Sequence, residues 1–552
     1  MDKSSVRVSD LTEQYLNAHY YARRFLENEE CLAACGIPRR AIGEIASKCN
    51  CGATPVDVVY DGGGQGLIRT SDVRPNRLEC AKVLRTKSLN VSRGGTTAAV
   101  ADDLIFTMSG TIGNSAVVPE TDEVFSFSNT IARVRLPAND ENDPRYISAF
   151  FSSSYGRTQS LRLTSGGIQG HVMPNPFKRL LVPTPSRLAQ KYIGDKVRQA
   201  ERFRRLSGEL SDYALRLVDA FLEGGDRASE IERAAKSSVR SQRLPNCFGH
   251  NERSLPIAHA CQATPTWRVA NKLLTARLDC NFYAKDGMEI ERHLSKHFQL
   301  AALEDVVDTT RTITNGVRGP DLEASPFKLV RLQDRDGWSI DFDRCLTISR
   351  SQFQENRRCE LHEGDVVVAV GGYIGSAAVV RRVEPAVIGQ HSAVLPMGPG
   401  SQIDEGYLVA YLSSRAGTVQ LQRYVSGTVQ AGINLEDLRG IRVPVPSTEL
   451  QQRVGDAVRQ ADDLNFLSKR LCAAACRLVE ALVEGRVSEA DLVDAQRALD
   501  SGETGPDRTI LSRLTEEGID VAGKASLFAD LEALYAALEE AKRADSTNGG
   551  AA

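Results

Sequence analysis

The chain has 552 residues, 41% hydrophobic and 25% charged, with a formal net charge of −3. That balance is ordinary for globular protein, and the length predicts roughly two to four domains rather than a single core. No apolar run is long enough to span a bilayer and the first residues hold no apolar signal segment, so the sequence predicts a cytoplasmic protein without membrane association.

The near-neutral total hides an uneven distribution. From Arg486 onward there are 14 acidic and 7 basic residues, a net of −7, which leaves +4 for residues 1–485. Within that part, Gly66–Gly95 holds Arg69, Arg74, Arg77, Lys82, Arg85, Lys87 and Arg93 against Asp72 and Glu79, and Tyr155–Arg205 is also basic. Basic surfaces beside an acidic tail suit a nucleic-acid binder, although charges that merely solvate a surface give the same composition.

In chain order the dominant signal is repetition. Leu16–Ala22 matches Leu278–Ala284, Gly66–Asp72 matches Lys328–Asp334, and Ser109–Val118 (SGTIGNSAVV) matches Gly371–Val380 (GGYIGSAAVV), all at an offset of 262. Beyond these hairpins the offset is 261. Gly156–Val172 then lies over Gly417–Ile433, Val182–Ser186 over Val443–Ser447, and Gly194–Ala200 over Gly455–Ala461. A repeat of this length is a duplicated unit, not a solenoid. In each copy a buried-strand run, Asp103–Met108 or Asp365–Val370, precedes the glycine-rich stretch and a second apolar run follows it. This predicts a hairpin with a backbone-exposing tip.

The β-like part of each copy ends in a Pro-x-Pro-Ser boundary, where Ser186 and Ser447 suit helix N-caps. Apolar residues then fall at Ile193, Val197, Ala200, Phe203, Leu206, Leu210, Ala214, Leu217 and Phe221. In the second copy they fall at Val454, Val458, Ala461, Leu464, Leu467, Leu471, Ala475, Leu478 and Leu482. Alternating steps of three and four predict long helices with a coiled-coil seam, closed by Gly224 and Gly485. A rod of 36 residues is roughly 54 Å long. The other copy is the obvious partner for each seam, in an antiparallel pair that would hold the globular parts apart near two-fold symmetry. A bundle with another protein is the alternative.

The expected organisation is α+β. A first domain over 1–185 is followed by a helix at 186–225 and a polar linker at 226–269. A second domain at 270–446 leads to a second helix at 447–485 and an acidic helical extension at 486–552. Within the extension, helices are expected at 488–499, 507–517 and 526–543, the first opening on a near capping box at Ser488–Asp491. The Gly- and Ala-rich last residues predict no ordered structure.

Catalytic motifs are weak. Gly518–Lys524 resembles the start of a phosphate-binding loop, but Ala525 stands where a hydroxyl is needed. Gly62–Gly66 lacks dinucleotide-loop spacing, and His293 and His297 lack an adjacent glutamate. Cys31, Cys35, Cys49 and Cys51, or Cys247, His250, His259 and Cys261, could gather around zinc. Neither set has a standard spacing or recurs in the other copy, so incidental cysteines are the simpler reading. The sequence points to binding rather than catalysis.

The ordered set of motifs, occurring twice, resembles the specificity subunit of type I restriction–modification systems. It comprises a Gly-Thr-Ile-Gly hairpin, a Ser-Gly-x-x-Gln turn, a Pro-x-Pro boundary and helix ends such as Leu217–Gly224 and Leu478–Gly485. The resemblance covers about residues 10–485. It implies two target-recognition domains, each reading half of a bipartite site in double-stranded DNA, with the helices setting the spacer and docking DNA adenine methyltransferase subunits. Restriction–translocase subunits would complete the complex. The chain would catalyse nothing and hold no cofactor, with AdoMet, ATP and Mg²⁺ belonging to its partners. Bases are read by side chains such as Arg, Asn and Gln, and phosphates are held by cations, hydroxyls and amides. The candidate DNA contacts are Arg69, Arg93, Ser109, Thr111, Gln169 and His171, and in the second copy Arg311, Arg318, Arg331, Tyr373, Thr428 and Gln430. A turn-stabilising role is the alternative for each. A DNA-targeting subunit of another effector, type II-like or of a different defence complex, and a protein-binding scaffold are the competing functions.

Overall fold

A computed structural model describes the chain except residues 1–17, 54, 57–63, 81–82, 87–89, 92–97, 139–140, 166–169, 225–281, 373, 427–430 and 550–552. The expected linker at 226–269 and the cysteine–histidine set at 247–261 lie outside the described residues. Helix and strand are mixed, and the chain divides into two units. One comprises Met1–Arg205, Pro245–His250 and Phe466–Ala552, and the other Leu206–Leu244 and Asn251–Asn465.

In the first unit the continuous apolar run Leu104–Thr107 is buried at every position, as a strand covered on both faces must be. It pairs antiparallel with Ser115–Val117 on one side and Ile131–Arg135 on the other, and Lys48–Cys51 completes a four-stranded sheet. Phe106 packs against Phe151 and Phe177 at centroid distances of 5.3 and 4.7 Å, which seats the helix Pro144–Ser152 on the sheet. A second sheet joins Ser126–Phe127, Gln65–Ile68 and Leu84–Thr86. Its core includes Ile68, Val73, Phe125 and Phe127.

The second unit contains a six-stranded sheet in the order Thr314–Asn315, Ser392–Leu395, Val366–Ala369, Ala377–Val379, Ser339–Ile340, Arg335–Asp336. Beside it lies a three-stranded sheet in which Lys328–Val330 pairs parallel with Ala386–Ile388. Strand registers recur between the units. Phe106 faces Ser115 and Ala132, while Val368 faces Ala377 and Ala393. Leu67 faces Ser126 as Leu329 faces Val387. The Val118 amide donates to the Asp103 carbonyl at 2.9 Å, and that of Val380 to Asp365 at 2.7 Å. The single-residue deletion therefore falls between Val118 and Ser126, in the connection between strands, where a length change leaves both ladders in register.

Two long helices run Arg187–Gly224 and Thr448–Val483. Of the seam residues, Ile193, Val197, Ala200 and Phe203, and Leu471, Ala475 and Leu478, are fully buried, while Leu206, Leu210, Leu464 and Leu467 are half-buried. Ser447 accepts from the Leu450 amide at 3.4 Å. The second helix closes with Gly485 at φ +68° and the Arg486 amide donating to the Ala481 carbonyl at 2.9 Å, a left-handed cap that glycine adopts without steric cost. Each helix carries a glutamine and an arginine that hold the globular part. Gln190 and Arg198 bind Asp143 at 3.0 and 2.7 Å, and Gln451 and Arg459 bind Asp404 at 2.9 and 3.0 Å.

The extension differs in part from expectation. Helix Glu489–Asp500 opens on a Ser488–Asp491 capping box. The second helix spans only Gly505–Ser512, because Leu514 and Thr515 turn to bridge Ile519 and Ser526. The third starts at Leu531, where Asp530 accepts from the Ala533 amide at 2.9 Å, and it continues to Gly549 through residues expected to lack order.

Candidate nucleic-acid interface

In the first unit the hairpin tip is drawn tight by its own polar groups. The Thr107 hydroxyl donates to the Thr111 carbonyl at 2.5 Å, and the Gly113 amide to the Thr107 carbonyl at 3.1 Å. Gly110 and Gly113 have φ of +71° and +88°, and Gly372 and Gly375 have +71° and +97°. The left-handed backbone at these points explains the glycine spacing found in both copies. A Cβ on Gly113 would also come within 3.3 Å of Ser160, and one on Gly375 within 2.6 Å of Thr418.

Against each tip lie the residues that flank the Ser-Gly-x-x-Gln stretch. Ser165 and His171 exchange backbone bonds of 3.0 and 2.9 Å, and the Val172 amide donates to the Met108 carbonyl at 2.9 Å. Ser426 and Gly432 do the same at 2.9 Å, and the Ile433 amide reaches the Val370 carbonyl at 2.8 Å. Backbone bridges join Ser109 to His171 and Gly371 to Gly432. The hairpin tip and these flanking residues, distant in sequence, thus meet at one composite surface in each unit. That surface brings together Ser109, Thr111 and His171, with Thr111 exposed and the other two half-buried.

The candidate arginines are placed differently. Arg69 donates from Nε and Nη2 to Asp72 at 3.3 and 3.2 Å, and Arg331 repeats this with Asp334 at 3.0 and 2.8 Å. Both carboxylates are buried and also accept the arginine's own backbone amide, at 2.8 and 3.0 Å. Arg311 grips the fully buried Asp365 at 2.7 and 2.9 Å, and Asp365 further accepts from the amides of His362 and Met397. These three guanidiniums are compensated within the fold, although each remains about a third exposed (33%, 33% and 27%). Asp103, the counterpart of Asp365, is held by Arg135 at 2.7 and 2.6 Å, and that hydrogen bond raises the arginine above its ordinary pKa. Arg318 is exposed and has no ion pair among the described residues. Arg93, Gln169, Tyr373, Thr428 and Gln430 lie outside the described residues.

The structure adds neighbours that the motifs did not single out. Gln390 and His391 are exposed beside the second tip, where the His391 carbonyl accepts the Val370 and Gly371 amides at 2.9 and 3.1 Å. In the first unit the exposed Asn129 precedes Thr130, whose carbonyl accepts the Met108 amide at 2.9 Å. No sequence pattern marks these residues, because it is strand pairing that carries them to the tips.

Among the described residues no group of three or more His, Cys, Asp or Glu side chains is arranged to hold a metal. Cys31, Cys35, Cys49 and Cys51 are free thiols, and burial pushes Cys49 up to about 11. The His293 ring bonds the Leu222 carbonyl at 2.7 Å and lies 4.8 Å from that of His297, a helix-packing role. No described helix is long and apolar enough to cross a membrane.

Residues 324–473 match the family model of the type I restriction modification DNA specificity domain. They take in the second hairpin, its loop and most of the second long helix. Over 167 residues the chain is 25% identical to the specificity subunit of the type I restriction enzyme EcoBI from Escherichia coli. The match covers 29% of this chain and 33% of that protein, so it spans about a third of the curated relative's length. The solved type I restriction–modification S subunit from M. genitalium is 13% identical with a TM-score of 0.36, the match covering 81% of this chain and 96% of that one. The HsdS subunit from Thermoanaerobacter tengcongensis is 16% identical with a TM-score of 0.22, covering 85% and 97%. Residues 324–473 are a type I restriction–modification DNA specificity domain, and the chain is related to the specificity subunits of type I restriction–modification systems.

Proposed function

We propose that this chain is the DNA sequence-specificity subunit of a type I restriction–modification complex. Each globular part reads one half of a bipartite duplex target, the long helices set the distance between the halves, and the chain itself catalyses nothing. The observation that carries this reading is the specificity-domain match over 324–473. It gains support from the recurrence of the same hairpin, loop and strand registers in the other unit, which favours a duplicated pair of target-recognition domains over 1–185 and 270–446.

Antiparallel pairing of the long helices is supported by contacts inside each unit. Arg204 donates to Ser468 at 2.9 Å in one, and Ser207 donates to the Ala461 carbonyl at 2.6 Å in the other, so a later residue of the first helix meets an earlier one of the second. Such a rod makes spacer length part of the recognised sequence, because both domains must seat at once. The tips would address base edges through Ser109, Thr111, Gln169 and His171 in one domain and Tyr373, Thr428 and Gln430 in the other. Of the candidate arginines, Arg69, Arg311 and Arg331 are already paired with carboxylates, which leaves Arg93 and Arg318 to face phosphates. DNA adenine methyltransferase and restriction–translocase subunits are the expected partners, and they would bring AdoMet, ATP and Mg²⁺. The cytoplasm is the expected location.

The test is binding of the purified chain, with its methyltransferase partner, to a randomised duplex library. Enrichment of two fixed half-sites at a constant spacing is expected. Salt-dependent binding with no sequence enrichment would refute the specificity role.

A further inference from the structure

Thr314–Asn315 forms the outer edge of the six-stranded sheet, and beside it opens a cleft of about 460 Å³ walled by Arg311, Arg357, Arg358 and Arg439. Two of these are compensated locally, Arg311 by Asp365 at 2.7 Å and Arg357 by Glu360 at 2.9 Å. The other two have only neutral acceptors among the described residues. Arg358 donates to the Thr314 hydroxyl at 2.7 Å and the Asn315 carbonyl at 3.1 Å, and Arg439 donates to the Ile313 carbonyl at 2.9 Å. The cleft therefore holds two positive charges that no carboxylate offsets. Each guanidinium is anchored through part of its five-donor fork, which leaves the remaining donors for an oxyanion. A fork fixed before the anion arrives loses little entropy on binding it.

The sheet register places this wall relative to the hairpin. Asn315 pairs with Ala393, and Ala393 with Val368, on the strand that leads into the tip at Gly371. Two inter-strand spacings are about 10 Å, close to the roughly 12 Å width of a major groove. A tip entering the groove would thus have the arginines at the groove's lip, where the phosphates run. In the first unit the corresponding wall differs. Ser47 and Asp308 make equivalent bonds to Arg135 and Pro396, but the segment from Asp308 to Asn315 is longer than that from Ser47 to Cys51, and Arg311 lies in the longer one.

We propose that this cleft is a phosphate clamp, in which Arg358 and Arg439 bind phosphodiester oxygens of the duplex addressed by the second hairpin. The proposal rests on the DNA-specificity reading above. It is tested on the full chain with its methyltransferase partner, by measuring affinity for duplex DNA over a series of salt concentrations. Arg358→Gln and Arg439→Gln should each lower the slope of log K against log salt by about 1 and weaken binding alike for target and unrelated sequences. Arg358→Lys should restore the slope. If wild type binds with steep salt dependence and both glutamine variants keep its affinity and slope, the clamp is refuted while the DNA reading stands. Absence of salt-dependent binding by wild type would remove both. A loss confined to target sequence would make these residues base readers and overturn the proposal. So would stabilisation by inorganic phosphate that depends on Arg358 while DNA affinity does not. Arg358 is exposed, so its variants remain informative if Arg439→Gln fails to fold.

Discussion

Lys196 of the first long helix and Asp507 of the C-terminal extension form a buried ion pair, Nζ to Oδ1 2.7 Å, with side chains 0% and 2% exposed. The same carboxylate accepts the hydroxyls of Tyr192 at 2.6 Å and Tyr535 at 2.5 Å, so one residue of the extension ties the helix to the last helix of the chain. A buried charge is tolerated only when its partner and remaining lone pairs are satisfied, and here they are. The extension is part of the first unit's core rather than an appendage. Removing one partner leaves the other charge buried and unpaired, so Asp507→Ala should destabilise the first unit by about 3–5 kcal/mol. The double change Lys196→Met with Asp507→Ala should cost less than the two single changes summed. Denaturant unfolding of wild type, Asp507→Ala, Lys196→Met and the double variant measures the coupling, and losses that simply add would contradict it.

The same site sets a pH dependence. Burial raises the Asp507 carboxyl, but Lys196 and the two tyrosine hydroxyls outweigh burial and hold it below the ordinary value of 3.8. A carboxyl lowered in the folded state contributes stability above its unfolded pKa, and that contribution is lost as pH falls through the folded value. Protection of the amides in the helices Glu489–Asp500 and Leu531–Gly549, exchange relative to the intrinsic rate at each pH, should therefore be unchanged from neutral pH down to about 3.8 and fall below it. Asp507→Asn should remove the acid step. Loss of protection beginning near pH 6 would point to another group.

The hairpin glycines should differ in tolerance. At Gly372 a Cβ meets nothing within 4 Å, so Gly372→Ala bears only the left-handed backbone cost of roughly 1–2 kcal/mol. At Gly375 the same backbone cost is joined by a 2.6 Å approach to Thr418. Thermal unfolding should rank Gly375→Ala below Gly372→Ala, and Thr418→Ser, which removes the clashing methyl, should recover part of the gap.

The helices predict a separable effect on recognition. Inserting or deleting one turn, 3.6 residues and about 5.4 Å, in either long helix should change the preferred spacer and leave both half-sites as they were. Methylated-adenine maps of cells carrying each variant would show this. Altered half-sites with an unchanged spacer would mean that the helices are not a ruler.

Local periodicity and backbone chemistry were legible without a fold. The glycines at 110, 113, 372 and 375 mark left-handed turns because other residues strain there, and steps of three and four residues mark the long helices because an apolar stripe must be buried. The repeat itself located equivalent places in two units, to within the connection where one residue is missing. Partnership at long range was not legible. Arg311 looks alike in sequence to Arg358 and Arg439. Only the folded chain puts the carboxylate of Asp365, 54 residues away, beside the first and neutral oxygens beside the other two. Lys196 and Asp507 are 311 residues apart, and nothing local in either says that both are buried. Propensity and pattern act over a few residues, whereas charge compensation depends on which side chains the tertiary fold brings within a few ångströms. The sequence alone therefore determined the hairpin turns, the long helices and the repeat that relates them, and the tertiary structure decided which cations have no carboxylate beside them.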